Sequence, residues 1–204
     1  MKMKWITAIG MFATLTAPYA WSAEGDPDAG AGKAVVCMAC HGANGNQNIN
    51  PEWPNLAGQH ASYIAAQLKL FKEGVRNNVV MMPNAMGLSE QDMADLAAHF
   101  SRQPVEGLEA DPSLYKAGEK LYRGGDAARD LPACIACHGP QGQGNGPAQY
   151  PAVRAQHSVY AYSQLVAYAS GERKPVANNI MQTVASKLTF EEMRALASYM
   201  QGLR

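Results

Sequence analysis

Cys37-Met38-Ala39-Cys40-His41 and Cys134-Ile135-Ala136-Cys137-His138 decide how this chain is read. Both follow C-x-x-C-H, the spacing at which a c-type haem is attached. Two thiols at this separation add across the two vinyl groups of one porphyrin and hold it at one edge. The adjacent histidine then lies beneath the ring and offers the iron a proximal imidazole. The two pentapeptides contain all four cysteines of the 204-residue chain, so none remains for a disulfide elsewhere. A C-x-x-C pair also serves in dithiol redox sites and in zinc sites. A thioredoxin-like dithiol would occur once, near a strand–helix–strand pattern, and would need no histidine after it. Zinc held by all four sulfurs would have to join pairs 97 residues apart, far beyond the spacings of zinc ribbons and fingers. The expected cofactors are therefore two covalently bound haem c groups. Cys37 and Cys40 anchor one, Cys134 and Cys137 the other, with His41 and His138 as proximal ligands to iron.

Outward from the two motifs the chain repeats itself. Trp53-Pro54-Asn55-Leu56-Ala57-Gly58-Gln59-His60 realigns on Tyr150-Pro151-Ala152-Val153-Arg154-Ala155-Gln156-His157 at an offset of 97. The same offset brings Tyr63 onto Tyr160, Gln67 onto Gln164, Leu68 onto Leu165 and Gly74 onto Gly171. Further on the offset is 100: Leu88-Ser89 meets Leu188-Thr189, and Met93, Leu96 and Ala97 meet Met193, Leu196 and Ala197. Three extra residues thus fall between Gly171 and Met181. Asp26-Pro27 pairs with Asp111-Pro112, and the second copy carries an insertion around 124–131. Two copies at so long a period make a duplicated domain and not a solenoid. The stretch 104–112, with two prolines, a glycine and three acids, has no helical periodicity and separates the copies. The expected division is a signal peptide at 1–22, a first domain at 23–105 and a second at 106–204. Domains this small bury a modest core. The haem supplies the apolar body on which helices pack, so the chain without haem is expected to fold poorly.

Both copies read as helical. Residues 89–101 begin with a Ser N-cap, place Asp92 at the third helical position and repeat Met93, Leu96, Ala97 and Phe100 at i, i+3, i+4 and i+7. Residues 189–201 do the same with Met193, Leu196, Ala197 and Met200. Helices at 61–73 and 158–170 end at Gly74 and Gly171. Helices near 29–36 and 117–122 lead towards the two motifs. Nothing alternates with period two, so the fold class is all-α. The glycine-rich segments 44–46 and 141–146 are loops, and no strand precedes them as a phosphate-binding loop requires.

The sixth position on each iron needs a ligand of its own. Methionine sulfur stabilises reduced iron and raises the potential, whereas a second histidine lowers it. The first copy offers Met81, Met82 and Met86, the second Met181. At the offset of 100, Met81 falls on Met181, Met82 on Gln182 and Met86 on Ser186. Met81 and Met181 are the expected ligands, and Met82 and Met86 read as packing. His60 and His157 are repeat-related but read as helix-start residues. His99 has Tyr199 as its counterpart, so it is no ligand common to both copies. Tyr63 and Tyr160 either donate to a haem propionate or reach a backbone carbonyl.

The amino terminus resembles a secretory signal: Lys2 and Lys4, an uncharged apolar run from Trp5 to Leu15, and Ala20-Trp21-Ser22 with small residues at −3 and −1. Cleavage is expected after Ser22. A retained anchor is the rival reading, but the run falls short of the roughly 20 apolar residues that span a bilayer. Export fits the cysteine chemistry, since c-type haem is attached outside the bacterial cytoplasm. The expected location is the periplasm.

With two C-x-x-C-H motifs, a repeated Gln-His-x-x-Tyr-x-x-x-Gln-Leu, methionines ahead of Leu88-Ser89 and Leu188-Thr189, and a closing Tyr199-Met200-Gln201-Gly202-Leu203, the chain resembles the dihaem cytochrome c4 family over essentially all of its mature length. The resemblance implies two tandem class I cytochrome c domains related by pseudo-two-fold symmetry, with haem propionates facing across their interface. It implies His41 and Met81 on the first iron, and His138 and Met181 on the second. It also implies a periplasmic respiratory electron carrier that donates to a terminal oxidase or similar acceptor. Expected partners are redox proteins: a quinol–cytochrome c oxidoreductase or other donor, and a terminal oxidase or copper-protein acceptor. Nucleic acid is not among them. The expected state is a monomer, soluble or loosely membrane-associated.

The net charge of zero hides an asymmetry. Residues 23–109 carry five basic against ten acidic residues, and 110–204 carry ten against seven. Such a dipole orients a protein on charged partners. The alternatives to an electron carrier are a small dihaem redox enzyme, such as a peroxidase or a sulfur-compound dehydrogenase, and a haem-based sensor. Both need an open iron site. Here each copy supplies its own methionine, and no further cysteine exists to bind a sulfur substrate.

Overall fold

The computed structural model describes residues 24–46, 50–174 and 178–204; the expected signal segment lies outside them. Five helices form in the first half: α1 (Pro27–Lys33), α2 (Val35–His41), α3 (Ala61–Lys72), α4 (Met81–Met86) and α5 (Glu90–Ser101). Five more follow in the same order: α6 (Pro112–Gly124), α7 (Ile135–His138), α8 (Ser158–Ser170), α9 (Ile180–Ala185) and α10 (Phe190–Gly202). A 3₁₀ turn at Ala127–Arg129 occupies the expected insertion. The described residues form no β-strand, only two isolated bridges, Asp126 with Leu131 and Asn145 with Tyr150.

Side-chain caps fix the starts of four of the ten described α-helices. Ser89 and Thr189 each accept a bond from the N3 amide, while Asp92 and Glu192 reach back to the cap amides, completing two capping boxes. Asp26 and Asp111 cap α1 and α6, each followed by proline at the first helical position. The Asp-Pro pairs are not equivalent positions, however. Gly30 of α1 crosses α5 so closely that a Cβ would lie 2.1 Å from the Asp95 carbonyl oxygen. Gly118 of α6 crosses α10 with the same result, 2.2 Å from the Ala195 oxygen. These glycines set the true register, and α6 begins about a turn earlier than α1. At the position four residues after each glycine the volumes differ: Ala34 in the first unit and Tyr122 in the second are both 0 % exposed. Phe100 fills the first core where the slightly smaller Met200 fills the second, which offsets only a small part of the difference between Ala34 and Tyr122. The helix expected at 29–36 is interrupted at Ala34, which ends α1 and starts α2.

The two units meet reciprocally. Gln59 donates to the Ala152 carbonyl at 2.8 Å and accepts from its amide at 2.9 Å. Gln156 donates to the Asn55 carbonyl at 3.0 Å and accepts from its amide at 2.8 Å. Adding 97 to Gln59 gives Gln156, and subtracting 97 from Ala152 gives Asn55, so the two clamps are related as in a two-fold interface.

One polar clamp is confined to the first unit. Lys33 Nζ lies 2.6 Å from both Asp92 and Asp95. Buried Asp95 also accepts from the Asp26 amide at 2.8 Å and from Gln91 at 2.7 Å. The Lys33 ammonium, followed by these two donors, holds the Asp95 carboxyl down at about 2 from its ordinary 3.8. A depressed carboxylate stabilises the fold above its unfolded value, and this contribution disappears as pH falls through the folded value. The first unit is therefore expected to lose stability between about pH 4 and pH 2. Asp95→Asn should already be less stable at pH 7, with a shallower acid limb in denaturant titrations followed at each pH. Equal acid limbs in the two proteins would show that Asp95 does not carry this dependence.

Candidate haem sites and the interface between them

Helix α2 carries Cys37, Cys40 and His41; Cys134 is the cap residue of α7, which carries Cys137 and His138. Each helix stops at a glycine of positive φ, Gly42 or Gly139. The following loops then return beneath the histidine on the same pattern. Gly45 accepts from the Leu56 and Ala57 amides, and Gly142 from those of Val153 and Arg154. Gly58 donates to Phe100 and Ala155 to Met200, both at 3.0 Å. These bonds bring the Pro54 carbonyl within 2.8 Å of His41 Nδ1, and the Pro151 carbonyl within 2.9 Å of His138 Nδ1. A carbonyl only accepts, so Nδ1 carries the proton and Nε2 keeps its lone pair for a metal. Burial leaves His41 6 % and His138 7 % exposed and lowers both pKa values, favouring the neutral imidazole that ligation requires.

The surroundings fit a haem. All four thiols are free. Burial pushes the Cys37 thiol up, and that of Cys134 up to about 11. Leu56, Leu68 and Leu88 are only partly buried against the first core, as are Val153, Val184 and Leu188 against the second. Half-covered aliphatic side chains beside each motif are what a porphyrin face would cover. Among the described residues no three His, Cys, Asp or Glu side chains converge on a metal site, so the cysteine pairs do not meet as a shared zinc would need.

The methionine segments keep the register of 100. Asn78 accepts from the Val80 amide at 3.0 Å, and Asn178 from the Ile180 amide at 3.1 Å. Ala85 and Ala185 are both fully buried. Met82 and Gln182 occupy one position: a Cβ on Gly74 would touch Met82 Cε at 3.8 Å, and one on Gly171 would touch Gln182 Nε2 at 3.2 Å. Met81 and Met181 share a half-buried position at the start of α4 and α9. Met181 packs against the second core, as Cys134 does. Met86 is 64 % exposed. Both short helices escaped sequence periodicity because six residues show too few turns.

His60 and His157 stand at the helix starts, as expected. His60 Nε2 meets the Gln143 carbonyl of the other unit at 2.9 Å, whereas His157 Nε2 is buried without a partner among the described residues.

Sequence reasoning missed two residues at the two-fold axis. Arg76 donates to Gln67 at 2.7 Å, and across the interface to Tyr160 at 2.9 Å and Gln164 at 2.8 Å. Arg173 donates to Gln164 at 2.8 Å, and across the interface to Tyr63 at 2.7 Å and Gln67 at 3.0 Å. Each guanidinium also lies over a ring of its own unit, Phe71 at 4.6 Å and Tyr168 at 4.7 Å. Among the described residues neither pairs with a carboxylate. Tyr63 and Tyr160 thus accept from arginine, and neither hydroxyl donates to a backbone carbonyl there. The signal was present: both arginines follow the matched glycines Gly74 and Gly171 by two positions.

The sequence model of the cytochrome c family matches twice, at residues 29–102 and 115–204. The chain is 44 % identical to cytochrome c4 of Azotobacter vinelandii over 192 residues, covering 89 % of this chain and 90 % of that one. It is 37 % identical to the thiosulfate dehydrogenase electron acceptor of Thiomonas intermedia, covering 92 % and 87 %. The crystal structure of reduced recombinant cytochrome c4 from Pseudomonas stutzeri superposes with a TM-score of 0.85 at 42 % identity, over 88 % of this chain and all of the other. The duplicated C-x-x-C-H helices, the matched histidine supports and these likenesses lead to one conclusion: the chain belongs to the cytochrome c4 family, as a dihaem electron-transfer cytochrome with two covalently bound haem c groups.

Proposed function

We propose that the chain is a periplasmic electron carrier without a substrate of its own, in which His41 and Met81 ligate one iron and His138 and Met181 the other. Each haem, when bound, supplies a one-electron couple; the protein's residues tune it and limit access to it. Cys37 with Cys40, and Cys134 with Cys137, form the thioether anchors. The Pro54 and Pro151 carbonyls orient the histidines and hold their protons on Nδ1. The shared position of Met81 and Met181, kept by the Asn78 and Asn178 bonds to the amides just before them, is the observation that carries the reading. A soft sulfur in each sixth position favours reduced iron and leaves no place for a peroxide or a gas. The haem carboxylates are assigned to the interface, against Arg76, Arg173, Tyr63 and Tyr160. We further assign the chain to the path between a quinol–cytochrome c oxidoreductase and a terminal oxidase or copper protein. The relative named for accepting electrons from thiosulfate dehydrogenase supports a sulfur-oxidising enzyme as a second kind of donor.

The expected result is two haems per chain by mass spectrometry of the denatured protein, and no rapid change in the reduced Soret band under carbon monoxide at neutral pH. A fast, complete Soret shift would reveal an open iron and favour a redox enzyme or sensor. One haem per chain would remove the dihaem carrier altogether.

A further inference from the structure

We propose that a cleft between the two units, away from the cysteine–histidine motifs, binds a small tetrahedral oxyanion, inorganic phosphate or sulfate, on the guanidinium of Arg154. The cleft measures about 470 Å³ and runs along the connection between the units, from Gly58 and Ser101 past Val105 to Leu203 and Arg204. Arg154 reaches it from the loop after the second haem motif. Its Nε is buried and has no hydrogen-bond partner among the described residues, while the side chain as a whole stays partly exposed at the cleft. The other charges nearby are committed elsewhere. Arg204 pairs with Glu109, and Glu106 accepts from Asn44 at 3.0 Å. Of the two arginines lining the cleft, Arg154 is therefore the one without a carboxylate partner among the described residues.

A desolvated guanidinium donor without an acceptor is unfavourable, and a water would satisfy one N–H but not the charge. A guanidinium presents parallel donors in a planar fork that fits two oxygens of one oxyanion. The cleft holds such an anion with part of its hydration, since one water takes about 30 Å³. The position is also specific to one unit. At the repeat offset Arg154 corresponds to Ala57, so this charge is no part of the haem machinery that both copies share. An anion here touches the first unit, the connection and the second unit together, and its binding adds to the stability of their pairing.

Inorganic phosphate should be titrated into the two-haem protein at constant ionic strength, by calorimetry and by ³¹P line broadening. One saturable site per chain is expected, together with a melting temperature that rises and then levels off. Arg154→Gln should weaken binding by about ten- to a hundredfold, as loss of a charge-assisted bond predicts. It should leave only the non-saturating rise that excluded salts give every protein. Arg154→Lys should bind at an intermediate level, with charge kept and the fork lost. Unchanged Soret spectra would show both variants folded, and the same comparison repeated with sulfate distinguishes the two anions. No saturable binding, which means ordered water alone in the cleft, overturns the proposal. So does equal binding by Arg154→Gln.

Discussion

Met81→Ala is expected to abolish the iron–sulfur charge-transfer band of one haem. It should also lower that haem's potential by on the order of a few hundred millivolts, within the span of about 0.8 V that axial ligation controls. Three sulfurs lie within six residues of the first unit, so residue type cannot choose among them. Geometry separates them. Met82 turns to the end of α3 at Gly74, where Gln182 does the same at Gly171. Met86 stands largely in solvent. Met81 alone shares both sequence register and half-buried position with Met181. Met82→Ala and Met86→Ala should therefore keep the band and the potential. Met181→Ala should affect the other haem in the same way, with no neighbouring methionine to take its place. In the first unit Met82 is close enough in sequence to step in, so the potential must be read alongside the band. Loss of the band in Met82→Ala, with band and potential intact in Met81→Ala, would move the ligand by one residue and break the repeat alignment at that loop.

What sequence could and could not reveal follows from where each interaction resides. The C-x-x-C-H motifs, the capping boxes and the apolar repeats of α5 and α10 are statements about side-chain type and spacing, and they were legible. The histidine supports were not. Pro54 and Pro151 stood in the matched segments, but the atoms that act are backbone carbonyls, which no residue type encodes. The reciprocal Gln59 and Gln156 clamps were likewise visible only as conserved spacing between the copies. The Asp-Pro pairing misled because a cap marks where a helix starts, whereas the register of two crossing helices is set where the backbones touch. That point is Gly30 in one unit and Gly118 in the other. The charge asymmetry between halves was readable, yet the two arginines that matter at the interface are one from each half and cancel in such a comparison.

Arg76→Met combined with Arg173→Met is expected to lower the potentials of both haems and to make them pH-dependent near neutrality. Each guanidinium is held by neutral tyrosine and glutamine oxygens, and burial leaves Arg173 only 8 % exposed. Two like charges bonded to the same pair of glutamines repel unless anions lie nearby. The haem carboxylates proposed for this interface are such anions. Methionine keeps much of the apolar stem over Phe71 and Tyr168 while removing the charge. A unit charge at a separation on the order of 10 Å, in an effective dielectric of about 20, acts with about 1.7 kcal/mol. For one electron that is about 70 mV. The sign is fixed: removing positive charge stabilises ferric over ferrous iron, so the potentials fall. Without the arginines the haem carboxyls hold their protons more tightly, and protonation favours the reduced state. The potential should then decrease as pH rises through the neutral range, where that of the parent protein is expected to stay flat. Arg76→Met alone should already move both haems, because Arg76 reaches Tyr160 and Gln164 in the other unit as well as Gln67 in its own. A spectroelectrochemical titration from pH 5 to 9 resolves these outcomes. Potentials unchanged to within about 10 mV, with no new pH dependence, would place the carboxylates away from this pair and leave the arginines as ties between the two units.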